Sequence, residues 1–103
     1  MRRVARFILP FALALCAGSA LASEADREAI RQGCLANMNW TEQACQCLAD
    51  KAADIEDVQQ AFIAAILTKD NAAAAALRPK MTIPQMTQAS MFVLNVGPSC
   101  QGG

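Results

Sequence analysis

Cys34, Cys45, Cys47 and Cys100 are the residues of this chain best equipped for chemistry, and Cys45-Gln46-Cys47 is their tightest spacing. Two thiolates that close together can bind Cu(I) or Zn, or exchange electrons through a disulfide. In a small exported chain an even set of cysteines instead forms structural disulfides, because the compartment beyond the inner membrane is oxidising. The structural reading is preferred here, since two further cysteines complete the set. Thiol-disulfide exchange or soft-metal binding through Cys45 and Cys47 stands as the alternative. The chain contains no histidine, which removes the commonest zinc ligand, the usual proximal haem ligand and the commonest general base. No catalytic residue, metal ligand or cofactor is assigned.

Other reactive-looking groups have simpler explanations. Met81, Met86 and Met91 recur every five residues. On a helix of about 100° per residue that step turns the three sulfurs in different directions, so they read as core filler and not as a copper site. Asp54, Glu56 and Asp57 sit at a predicted helix start, where acidic side chains favour the helix dipole without any catalytic role. Trp40 reads as a plug over the ends of the first two helices.

The elements that position these residues are helices. Apolar positions at Ile30, Cys34 and Met38 predict a first helix from Ser23. Asn39-Trp40-Thr41 breaks it, and Thr41 caps a second helix that turns Ala44, Cys45, Leu48 and Ala52 inward. Asp54 is expected to cap a third, whose Ile55, Val58, Phe62, Ala65 and Ile66 form the clearest amphipathic face. Asn71 caps an alanine-rich turn that Pro79 stops at or before Arg78. Thr82 and Gln85 form a capping box for the last helix, which Gly97-Pro98 is expected to end at Asn95 or Val96. Phe92 to Val96 has strand propensity but no second strand-like run to pair with. The fold class is therefore all-α: a small bundle of four to five short helices stapled by two disulfides.

An antiparallel pair of helices turning at Asn39-Trp40 places Cys34 opposite Cys45. On the second helix Cys45 and Cys47 are separated by roughly 200°, so Cys47 can take Cys100. In the chain-entropy model these bridges are worth about 3 and 4 kcal/mol, comparable to the whole stability of a small domain. The swapped pairing, Cys34–Cys47 with Cys45–Cys100, remains open, because spacing alone does not determine connectivity.

Export is read from the first residues. Arg2, Arg3 and Arg6 precede an apolar run from Phe7 to Ala17, interrupted only by Pro10, and Ala20-Leu21-Ala22 makes a small-x-small cleavage site. Residues 1–22 are expected to be a cleavable signal peptide, cut before Ser23, and residues 23–103 a single small domain. Leu13-Ala14-Leu15-Cys16 departs from a lipoprotein site at Leu15, and Arg2-Arg3 departs from a twin-arginine signal at Ala5. Cleavage removes Cys16, three of the nine basic residues and none of the nine acidic ones, leaving 81 residues with a net charge of −3. No basic stripe remains for nucleic acid, and the membrane enters only through the signal peptide before cleavage. The expected location is periplasmic or secreted.

Met91, Phe92, Val93 and Leu94 are consecutive apolar residues, and a helix cannot bury four in a row. With Met86, Ala89, Val93 and Val96 facing the core, Leu94 and Met91 point outward beside Ile83. Such a patch marks a partner surface, so Ile83, Met91 and Leu94 are the expected contact residues. The expected function is non-enzymatic: binding an unidentified protein partner or an apolar ligand. The competitors are the thiol-exchange protein and a stress-type holding chaperone.

Overall fold

In the computed structural model, which describes residues 18–102 and side chains from Ser23 onward, five α-helices follow one another. They are α1 (Gly18–Asn37), α2 (Glu42–Lys51), α3 (Asp57–Leu67), α4 (Asn71–Leu77) and α5 (Ile83–Gly102), with short 3-10 turns at Ala52–Asp54 and Arg78–Lys80. Among the described residues there is no strand. The Arg-rich start and apolar run of the expected signal peptide lie outside the described residues. Helix α1 begins at Gly18, ahead of the expected start at Ser23, and so runs across the Ala22–Ser23 bond.

Side-chain caps and proline set most boundaries. Thr41 Oγ1 accepts the Ala44 N–H at 3.1 Å and opens α2. The chain turns into it through Asn39 at φ 59°, a left-handed conformation that asparagine tolerates better than most residues. At the end of α3, Lys69 at φ 63° lets the Asp70 N–H return to the Ala65 carbonyl at 2.8 Å, the Schellman closure. Pro79 holds α4 to Leu77, and the expected capping box of α5 forms in both directions. There Thr82 Oγ1 accepts from the Gln85 N–H at 3.2 Å, and Gln85 Oε1 accepts from the Thr82 N–H at 2.9 Å.

Contacts at the helix ends give the directions. Ser23 Oγ donates to Asp57 Oδ1 at 2.8 Å, and Asn37 Nδ2 donates to the Leu67 carbonyl at 2.7 Å, so α1 and α3 run parallel. Helix α5 also runs with α3, because Gln85 Nε2 donates to Glu56 Oε1 at 2.6 Å where both begin. Helix α2 is antiparallel to α1: Cys34 joins Cys45 near the turn, and Glu24 and Glu28, earlier on α1, face Gln46 and Asp50, later on α2. Ile30, Leu48, Phe62, Ile63 and Phe92 are the large apolar members of the resulting core; burying each fully is worth about 1.5–3 kcal/mol.

Several expectations are corrected. Helix α5 does not stop at Asn95 or Val96 but continues through Gly97 and Pro98 to Gly102. Pro98 deprives the Leu94 carbonyl of its helical donor, and both residues lie on the exposed side, where water can replace the lost bond. Gly97 is held in the helix by Trp40: a Cβ there would lie 3.1 Å from the Trp40 Cη2. Trp40 thus packs on the last helix as well as at the α1–α2 turn. Asp54 falls in a 3-10 turn, and Glu56 takes the cap of α3, its N–H donating to Gln59 Oε1 at 2.9 Å. Asp70, not Asn71, caps α4, accepting from the Ala73 N–H at 3.1 Å.

The predicted single apolar face of α3 is the largest departure. Gln59 and Gln60 are buried along with Phe62, Ile63, Ala64 and Ala65, while Ile66 is 45% exposed. Helix α3 packs against α1, α4 and α5, so it is enclosed on most sides and not on one. The glutamine amides enter that interior with partners. Gln59 Nε2 donates to the Gln85 carbonyl and to Gln88 Oε1, and Gln60 Nε2 donates to the Ile55 carbonyl.

Candidate functional site

The four cysteines form Cys34–Cys45 and Cys47–Cys100, with Cα atoms 5.6 Å apart in each pair. The swapped pairing is not the one formed. Cys45 and Cys47 therefore bind different helices, α1 and the end of α5, and do not face one another as a dithiol. Among the described residues no three Cys, Asp or Glu side chains gather as a metal site, and no helix is long and apolar enough to cross a membrane. Two disulfides within one chain fit an oxidising environment outside the cytoplasm.

Ile83, Met91 and Leu94 all lie on α5 and are 83%, 46% and 72% exposed. Phe92, between them, is buried, and Val93 packs partly against the core. A cleft of about 330 Å³ lies between α3 and α5. Phe62, Ile63 and Ile66 form one wall and Met86, Ala89 and Val93 the other, with Ser90 on the α5 side and Arg78 at the end supplied by the 3-10 turn. At about 100° per residue, Ser90, Ile83 and Leu94 fall within an arc of roughly 40° on α5, with Met91 further round.

The cleft exists because α3 and α5 are held by polar contacts at their starts. The Gln59–Gln88 amide contact and the Gln85–Glu56 bond fix the two helices there. One to two turns further on the pair is lined by Ala89 and Ser90, whose small side chains leave space that larger residues would fill. Arg78 stands over the Phe62 ring at 5.8 Å from its centroid, a cation–π contact that parks the guanidinium at the cleft.

Charge is unevenly distributed along the chain. Residues 24–57 carry eight of the nine acidic side chains, while Lys69, Arg78 and Lys80 follow with only Asp70 among them, and nothing after Lys80 is charged. At the acidic end Asp26 is pushed above the ordinary carboxylate value, first by partial burial and then by the nearby Asp57 charge. Glu28 is held low by hydrogen bonds from Arg31 and Gln32.

Sequence reasoning placed the exposed apolar residues on the last helix but did not single out Phe62, Arg78 or Ser90 as parts of a site. The available signal was the concentration of the last three cations in residues 69–80 immediately before an uncharged helix. No protein-family model matches the chain, and neither does any curated protein or solved structure.

Proposed function

We propose that this is an exported, non-enzymatic binding protein of the periplasm or cell exterior that takes an apolar group into the α3–α5 cleft. The observation that carries the reading is an open, mainly apolar cleft of about 330 Å³ between α3 and α5. That volume lies at the small end of the range for ligand pockets. Absence of His and Tyr from the chain, and the engagement of all four described cysteines in disulfides, support binding over catalysis. Titrating the disulfide-bonded protein with the small neutral fluorophore 1-naphthylamine tests it. Saturable binding is expected, and Ile66→Asp on the exposed wall should weaken it about ten-fold, equivalent to about 1.4 kcal/mol. Absence of saturable binding by the wild type overturns the reading.

A second reading is favoured by the exposure of Ile83, Met91 and Leu94 on a helix with no charged residue: the outward face of α5 docks a protein partner. Leu94→Asp should then abolish partner capture while leaving helicity and melting temperature nearly intact. Retained capture by the folded variant counts against this surface.

A further inference from the structure

We propose that the ligand of the α3–α5 cleft is an anionic single-chain amphiphile, a medium-chain carboxylate whose head is held by Arg78 and whose tail lies between the two helices. This rests on the cleft being a binding site and adds the ligand's charge, size and orientation.

The lining separates into an apolar trough and two polar side chains, Arg78 and Ser90. Both can donate hydrogen bonds, and arginine can do nothing else. A carboxylate matches that pair, with the planar guanidinium offering two parallel N–H groups. Arg78 has no carboxylate within ion-pair distance among the described residues. Asp70, the one acid on the same segment, already accepts from the Ala73 N–H as the α4 cap. The guanidinium stands over the Phe62 ring, 5.8 Å from its centroid, and so lies at the cleft. Lys69 and Lys80 flank this segment, and the protein's other acidic residues belong to residues 24–57. A cationic head would meet Arg78 as a like charge, and a neutral head would leave its charge unused.

Tail length follows from volume. At about 30 Å³ per water-sized group, the cleft holds roughly ten heavy atoms. That suits a chain of about eight to ten carbons and is too small for a two-chain membrane phospholipid.

The test compares decanoate, 1-decanol and decyltrimethylammonium as displacers of 1-naphthylamine from the disulfide-bonded protein at pH 7. Decanoate is expected to bind at least about ten-fold tighter than either of the others, with an affinity that falls as salt rises. Arg78→Met, which keeps an apolar stem over Phe62, should weaken decanoate about five- to ten-fold and decanol by less than about two-fold; Arg78→Lys should recover part of the loss. Equal affinity for decanoate and decanol, or an Arg78→Met variant that binds decanoate as the wild type does, overturns the proposal while the cleft reading survives. If neither the fluorophore nor any amphiphile binds, both fall.

Discussion

Gly33 of α1 stands against the carbonyl end of Leu67 in α3, so closely that a Cβ on Gly33 would lie 2.8 Å from the Leu67 carbonyl carbon and oxygen. One turn later Asn37 Nδ2 donates to the same carbonyl oxygen at 2.7 Å. The two parallel helices therefore meet backbone to backbone at their C-terminal ends. Gly33→Ala would ordinarily favour an exposed helix by about 1 kcal/mol. Here it is expected to destabilise by about 1–3 kcal/mol, because the obstacle is main chain and cannot rotate away. Urea denaturation measures this, and a rise in midpoint would show that the helices part at no cost.

The two disulfides should differ in accessibility. Cys34 and Cys45 are fully buried, whereas Cys47 is half-buried and joins the end of the last helix. Limited reduction followed by alkylation and peptide mapping should label Cys47 and Cys100 first. Trp40 packs on Gly97, three residues before Cys100, so its emission should shift to the red in the same step. Replacing either pair with alanine is expected to cost about 3–4 kcal/mol. Earlier labelling at Cys34 and Cys45 would contradict the burial order.

Asp26 gives a pH dependence with a definite sign. Its carboxyl is raised above the ordinary 3.8 by burial and by Asp57, so the folded protein holds this proton more tightly than the unfolded chain does. The resulting penalty is absent below the unfolded value, grows through the interval between the two values and is fully present above the folded one. Asp26→Asn should therefore stabilise the protein more at pH 7 than at pH 3, the gain over wild type growing as the pH rises through that interval. Denaturant midpoints across that range read it, and an Asn variant less stable at pH 7 would refute the sign.

Gln59 links the starts of α3 and α5 from a position 1% exposed. Gln59→Leu keeps most of the volume but removes the donor to Gln85 and Gln88 and the acceptor for the Glu56 N–H. Such orphaned groups cost about 1–3 kcal/mol when buried. A melting temperature unchanged from wild type would mean that water reaches them.

Much of this protein follows from rules that act over a few residues, and those parts were legible in the sequence. Thr41, Pro79 and the Thr82/Gln85 box bound helices because a cap bonds an amide two or three positions away, whatever the rest of the chain does. The symmetry of a helical hairpin about Asn39-Trp40 favoured Cys34–Cys45 with Cys47–Cys100 over the swapped pairing, and the tertiary structure decided between them. Periodicity likewise turned Ile83, Met91 and Leu94 away from the inferred core. Only the tertiary structure decided how many neighbours each helix has. Periodicity ranks the faces of a helix but is silent about whether a second or third face is also covered, so enclosure of α3 buries Gln59 and Gln60 while Ile66 stays open. Local rules ended the last helix at Gly97-Pro98; Trp40 and the Cys47 bridge, distant in sequence, hold that segment helical to Gly102. The cleft beside Arg78 has the same origin, because a space between α3 and α5 is a property of their separation and belongs to neither helix alone.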